Sequence, residues 1–286
     1  MAGYRFCRSD DVPRLVEAYN ACYRVHFPSL SELTVDAFKR WIREIQVWPS
    51  SCMLASSDHG EPIGVLIGAK RETANRVVAL GIHPDHLRQG HGSHMLTSLG
   101  RKLAILGPRR IVAEVPEPLE PARACFESCG YRAERTYTDF VLGDDHGLEA
   151  ASHPLVAPIG VADVAAAGLL HTGPQRCWDR TPESLLARKD RIEGLALASE
   201  SKIEACLLYS IAGDGASCRI EFVHAAVPDR SGALLGLLLR HLLAESRRRL
   251  RFVRVHGGEI PFDSLQRWGF TPIGRTIAWV AVMCLP

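Results

Sequence analysis

Four histidines, one arginine and two glycines crowd into "HPDHLRQGHGSH", residues 83–94. An apolar, β-branched run, "RVVALGI", leads into this stretch, and a helical pattern with Met95, Leu96, Leu99 and Leu103 on one face leaves it. A helix start leaves its first N–H groups unpaired and carries the positive end of the helix dipole. That combination suits an anion, most often a phosphate. Gly90 and Gly92 let such a guest lie against the backbone, Arg88 adds a fixed positive charge, and Ser93 adds a hydroxyl. Taken alone, a strand followed by G-x-G also describes a tight turn where a helix packs closely on a sheet. Two other phosphate motifs are excluded. A P-loop needs Gly-Lys-Ser/Thr, and "GHGSHM" has no lysine; a dinucleotide fingerprint needs a third glycine where Met95 stands. The spacing of His83, His86, His91 and His94 across strand, loop and helix defines no ligand set, so no metal is expected.

The nine cysteines are scattered and odd in number, which argues for reduced thiols and a cytoplasmic setting, not a disulfide framework. Cys125 and Cys129 stand i,i+4 on a helical pattern and read as small half-buried hydrophobes. The basic run "SRRRLRFVR" reads as a solvated helix end, its arginines complementing the dipole. Formal net charge is +2, which gives no electrostatic reason to expect nucleic acid or a membrane surface. The N-terminus is too polar for a signal peptide, and no apolar run is long enough to span a bilayer.

The elements that must hold the glycine-rich loop come in a repeated order. In the first half, "DDVPRLVEAYNACY" and "TVDAFKRWIREI" read as helices, and "SCMLASS", "PIGVLIGAKR" and "RVVALGIH" as strands. The loop helix follows, then the strand "RRIVAEV", the helix "EPARACFESC" and the strands "YRAERTYTDFVL". The second half repeats this order: "GVADVAAAGLL" and "TPESLLARKD", three strand-like runs, the helix "GALLGLLLRHLLAESRRR", a strand, a short helix and closing strands. "ALGIHPDH" matches "VHAAVPDR", and "CFESCGYRAER" matches "LQRWGFTPIGR". Duplication of one α+β unit is the economical explanation. The expected domains are residues 1–143 and 158–286, joined by a linker over residues 144–157 that lacks periodicity.

"LGIHPDHLRQGHGSHML" resembles the pyrophosphate loop of the GNAT family of N-acyltransferases: a strand, H-P-D, Q/R-x-x-G-x-G/A, and a helix with paired leucines. "PARACFESCGY" is similar to the family's later signature, a helix ending in Gly-aromatic. Because element order agrees in both halves, the chain looks like a tandem GNAT protein. The resemblance implies an α+β fold of two GNAT-like domains, each a mixed, mostly antiparallel sheet flanked by helices. It implies acetyl-CoA as acyl donor and a small-molecule or peptide amine as acceptor. The chain would be a monomer with an internal pseudo-dimer, or a homodimer. Backbone groups of Leu80, Gly81, Ile82 and His83 would hold the pantetheine arm. The segment Leu87, Arg88, Gln89, Gly90, His91, Gly92 and Ser93 would hold the pyrophosphate.

The departures are specific. Leu87 takes the first position of Q/R-x-x-G-x-G/A, with Arg88 and Gln89 beside it keeping the polarity. Phe126 stands where many members place a tyrosine as acid for the departing thiolate, and Leu119 replaces a common asparagine. The catalytic acid and base are therefore open. Glu114, on the strand whose family counterpart lines the acceptor site, is a candidate base or an outward-facing carboxylate; Tyr131 and Tyr137 are candidate acids. Tyr23, His26, Phe27 and Trp41 lie where the fold closes over its acceptor, as substrate wall or core. In the second half Leu234 aligns with Gly92 and Leu265 with Phe126, so that domain is expected to be degenerate as a CoA binder. The leading expectation is an acetyl-CoA-dependent N-acetyltransferase; the alternative is a non-catalytic acyl-CoA-binding sensor or interaction module.

Overall fold

The computed structural model describes residues 2–143, 148–172, 176–200, 202–213, 215–226 and 232–283. In chain order the first half contains β1 (Gly3–Phe6), α1 (Val12–Cys22), α2 (Val35–Glu44), β2 (Met53–Ser56), β3 (Pro62–Lys70), β4 (Asn75–Ile82), α3 (His91–Leu106), β5 (Arg110–Pro116) and α4 (Glu120–Ser128). Then come β6 (Arg132–Leu142), β7 (Val156–Pro158), α5 (Val161–Ala166), α6 (Pro182–Ala187), β8 (Glu193–Ala198), β9 (Ile203–Ile211), β10 (Ser217–Ala225), α7 (Ala233–Ser246), β11 (Arg249–Val255), α8 (Phe262–Arg267) and β12 (Phe270–Val282).

The helices start where the chain supplies local partners. The Thr34 hydroxyl accepts from Ala37 N–H at the start of α2. Asp11, at the start of α1, accepts from Arg8 N–H and takes both Nη groups of Arg5, at 2.7 and 2.6 Å. That pairing holds the Asp11 carboxyl down at about 2.

The chain forms two compact units, and they do not follow the expected boundaries. The first comprises Met1–Arg135 with Ile277–Pro286; the second comprises Thr136–Thr276. The end of β12 therefore serves the first unit's sheet beside β5, while most of β6 serves the second's, paired antiparallel to β11. Nor is the expected linker featureless. Leu148 is buried, Ala151 N–H donates to Arg240 O, His153 N–H donates to His241 Nδ1, and Val156–Pro158 pairs with β8. A three-residue strand that ends in Pro158, with Pro154 just before it, carries too little pattern to be read from sequence.

Each unit covers its sheet on both faces. In the first, Met53, Ala55, Leu66 and Val77 pack with Met95, Leu96, Leu99 and Leu103 of α3 and Phe126 of α4. Leu54, Val65, Ile67 and Ala79 pack with Leu15, Tyr19 and Cys22 of α1 and Phe38 of α2. Alternate residues of a strand point to opposite faces, so β2 and β3 serve both cores at once. In β4 the alternation breaks. Val77 and Ala79 would share a face in a regular strand, yet they join opposite cores, because Val78 is an extra residue between Gly68↔Val77 and Ile67↔Ala79. The second unit has the same irregularity. Glu221 is extra between Ile220↔Tyr209 and Phe222↔Leu208, and Ile220 and Phe222 join opposite cores. Two bulges at equivalent points of β4 and β10 are the structural mark of the duplication.

Candidate active site

Strands β4 and β5 run parallel and pair only over Asn75↔Ile111, Arg76↔Val112 and Val77↔Ala113. Beyond the bulge no pairing joins them, although β4 continues to Ile82 on β3. Which groups face this gap follows from the antiparallel ladder. His83 N–H donates to Ile63 O, so residues 83, 81 and 79 turn their polar groups toward β3, and Leu80 and Ile82 turn theirs toward the gap. The Ile82 carbonyl confirms the direction: it accepts from His26 Nε2 at 2.8 Å.

The loop after β4 completes the site. Arg88 has φ +63° and Gly90 has φ +82°, the left-handed conformation at the residue that caps α3. A Cβ at Gly90 would meet nothing within 4 Å, so the requirement for glycine there is backbone conformation, not space. The first helical bond of α3 is His94 N–H to Gly90 O. The amides of His91, Gly92 and Ser93 precede it and take no helical bond at the start of a helix of 16 residues. Leu87, Arg88, Gln89 and Gly90 are exposed beside them.

Gly92 plays a different part from the one its spacing suggests. A Cβ there would lie 3.5 Å from Cys125 Sγ and 3.9 Å from Leu80 and Ile82, so it would point into the protein. Cys125 also lies 3.7 Å from Ser93 Oγ, and the Cys129 thiol donates to Ser93 O at 3.9 Å. The two cysteines thus sit where α4 meets the start of α3, and burial raises the Cys125 thiol. His91 is buried, its Nδ1 2.5 Å from Tyr4 Oη, and burial, with His86 and His94 nearby, lowers its pKa.

The opposite wall comes from α1 and the turn after it. A Cβ at Gly81 would lie 2.4 Å from Cys22 O and 2.6 Å from Tyr23 Cα, so only glycine lets α1 end against β4. The following loop is pinned back by Asn20, whose amide donates to Leu33 O and accepts from Leu33 N–H, both at 2.9 Å. Tyr19 packs tilted against Tyr23 at 5.0 Å and edge-to-face against Trp41 at 5.5 Å, and Tyr23 packs tilted against Phe27 at 4.9 Å.

The residues weighed for proton transfer are placed as follows. Glu114 is not outward-facing: its side chain is 2% exposed and pairs with the 7% exposed Arg76 at 3.1 Å. Phe126 is buried in the α3 core with Tyr131, rings 5.1 Å apart, and burial pushes the Tyr131 phenol up. Tyr137 is buried and falls in the second unit. Among the described residues no group of three or more His, Cys, Asp or Glu side chains is placed to hold a metal ion. No helix there is long and apolar enough to cross a membrane.

The second unit has the same frame, filled. Its strands β10 and β11 pair from Ser217↔Arg249 to Ile220↔Phe252 and then part. Arg180, fully buried, occupies the mouth of the gap. Its Nε donates to Glu221 O on β10 at 2.8 Å, and its Nη1 donates to Val253 O and Arg254 O on β11 at 3.4 and 3.1 Å. Glu259 pairs with it through both carboxylate oxygens, at 3.3 and 2.8 Å. Gly232 caps α7 at φ +67°, as Gly90 caps α3, which supports the alignment of Leu234 with Gly92. Leu234, however, packs against the core and does not obstruct an anion. The Trp268 indole packs against this helix start: it lies 2.5 Å from where a Gly232 Cβ would be and 3.2 Å from where a Gly236 Cβ would be. Trp268 precedes Gly269 as Cys129 precedes Gly130. The loop residues 227–231, including the "VPDR" matched to "HPDH", lie outside the described residues.

A parallel strand pair that parts after a bulge, facing a helix capped by a left-handed glycine, is the arrangement that the resemblance to the GNAT fold implies. Residues 12–131 match the model of the acetyltransferase (GNAT) family. No curated protein matches the chain in sequence. The whole chain superposes on a GCN5-related N-acetyltransferase from Sphaerobacter thermophilus, with TM-score 0.68, 13% identity and coverage of 99% of this chain and 96% of that one. A tandem GNAT protein from the clavulanic acid biosynthesis pathway gives TM-score 0.68, 15% identity and 100% coverage of both chains. A GCN5-related N-acetyltransferase from Anabaena variabilis gives TM-score 0.62, 11% identity, and coverage of 99% and 73%. Residues 12–131 thus carry a domain that matches the GNAT family, and the chain as a whole has the fold of a tandem GNAT protein.

Proposed function

We propose that the first unit is an N-acetyltransferase that moves an acetyl group from acetyl-CoA to an amine of a small molecule or peptide. The observation that carries this reading is the unpaired edge of β4 at Leu80 and Ile82, running into the free amides of His91, Gly92 and Ser93. A pantetheine arm carries amides that pair with such an edge as a strand would, and a pyrophosphate fits the helix start, with Arg88 beside it. The fold supports acyl transfer in general; the acetyl group, the amine acceptor and a cytoplasmic location are parts of this proposal.

In this reading the chain contributes position more than acid chemistry. Leu80 N–H, facing the gap, is placed to hold a thioester carbonyl oxygen as charge develops on it. The aromatic wall of Tyr19, Tyr23 and Phe27 limits how an amine approaches. A thiol with a pKa of about 8.5 leaves as thiolate without much help near neutral pH, so a phenylalanine at position 126 is compatible with turnover.

A non-catalytic acyl-CoA-binding module is the second reading, favoured by the buried Phe126 and by the engagement of Glu114 with Arg76. Thiol release from acetyl-CoA, measured across a broad panel of amines, separates the two. Release that depends on an amine supports the enzyme; tight binding with no release for any amine supports the module.

A further inference from the structure

The acyltransferase reading needs a group to take the proton that the amine loses, and the strand residues offer none: Glu114 is buried against Arg76. Tyr19 is pushed up to about 12, chiefly by burial, and His83 Nδ1 already accepts from Asp85 N–H at 3.4 Å. His26 is different in kind. It lies in the turn Arg24–His26 that follows α1, exposed, and reaches across to Ile82 O at 2.8 Å. We infer that His26 is the proton acceptor for the attacking amine, acting through Nδ1; the inference rests on the acyltransferase reading above.

The hydrogen bond decides which nitrogen is the base. A carbonyl oxygen only accepts, so the nitrogen facing Ile82 O must be Nε2–H, and in the neutral ring the lone pair then lies on Nδ1. His26 Nδ1 has no hydrogen-bond partner among the described residues. The bond also fixes the ring at the edge of the gap. It need not be surrendered when pantetheine binds, because a carbonyl has two lone pairs and accepts from both donors. Arg24 stands two residues before it in the same turn, and His83 with Asp85 follows Ile82; these are the charged and titratable groups adjacent in the chain to the ring and to its partner.

The step balances without another reagent. The amine nitrogen bonds to the thioester carbon, its N–H proton passes to His26 Nδ1, and the carbon–sulfur bond breaks. The thiolate leaves with the bonding pair, and the imidazolium returns its proton to that sulfur or to solvent.

The full chain and its H26Q and H26A variants supply the test. Glutamine keeps an N–H donor for Ile82 O and removes the base. Both variants should lose about 10²- to 10⁴-fold in kcat on one amine the wild type accepts, with CoA affinity by calorimetry essentially unchanged. The acid limb of the wild-type rate profile should be missing from H26Q. Near-normal kcat in H26Q with loss in H26A alone would overturn the inference, leaving His26 a tether for Ile82. Nitrogen-15 imidazole spectra of the resting protein should show His26 as the Nε2–H tautomer; the Nδ1–H tautomer would overturn the inference whatever the activity. Wild type that binds CoA but consumes no thioester with any amine would instead overturn the acyltransferase reading, and the base with it.

Discussion

The two units carry the same gap between two parallel strands, and only one of them leaves it open. In the first, β4 and β5 part after Val77↔Ala113 and the edge of β4 faces the gap unpaired by any strand. In the second, β10 and β11 part after Ile220↔Phe252, and Arg180 bonds to carbonyls on both sides. The helix starts differ in the same way. Cys129, a small thiol, packs beside the start of α3 where Trp268, an indole, packs against the start of α7. The duplicated frame is kept, down to the bulge and the left-handed cap, while one buried arginine fills the gap of the second unit.

The largest expected effect lies in the filled gap. Arg180→Met takes one of two arginines from the Glu259 carboxylate, which keeps Arg176 and His256 N–H, and takes the Arg180 donor from three backbone carbonyls; removing one partner of a buried ion pair costs about 3–5 kcal/mol. Denaturant unfolding should show that loss. The variant should still bind no second CoA; a second site appearing on this single change would show that Arg180 alone closes the unit. Gly92→Leu should cost about 1–3 kcal/mol, since the side chain must force itself among Cys125, Leu80 and Ile82. Unchanged denaturant unfolding would show that the side chain does not enter that packing. Gly90→Ala is milder. A Cβ there meets no atom, and holding an L-residue at φ +82° costs about 1–2 kcal/mol, read as a lower melting temperature and weaker CoA binding. Unchanged affinity would mean that the loop holds its shape without the glycine.

Much of this was legible in the residues. The order of helices and strands, the duplication, the Thr34 cap and the helix start at Gly90 all follow from local patterns, and local patterns are what sequence displays. What escaped was set by distant partners. The share of β12 taken by the first unit is decided by pairing across most of the chain. "TIAWVAVM" reads as a strand but does not say whose. Glu114 stayed open between candidate base and outward carboxylate because its buried partner, Arg76, lies on another strand. Gly92 read as a phosphate contact because its neighbour Cys125 comes from a helix whose packing has no local signal. Arg180 was missed altogether. An arginine before "TPESLL" reads as surface, and only the bulge at Glu221 and the parting of β10 from β11 create the place it fills.

The central claim is that one gap is open to an acyl-CoA and the other is closed by the protein's own side chains. Calorimetric titration of the full chain with acetyl-CoA tests it most directly. The account predicts a single binding site per chain. Two equivalent sites, or none, would contradict it.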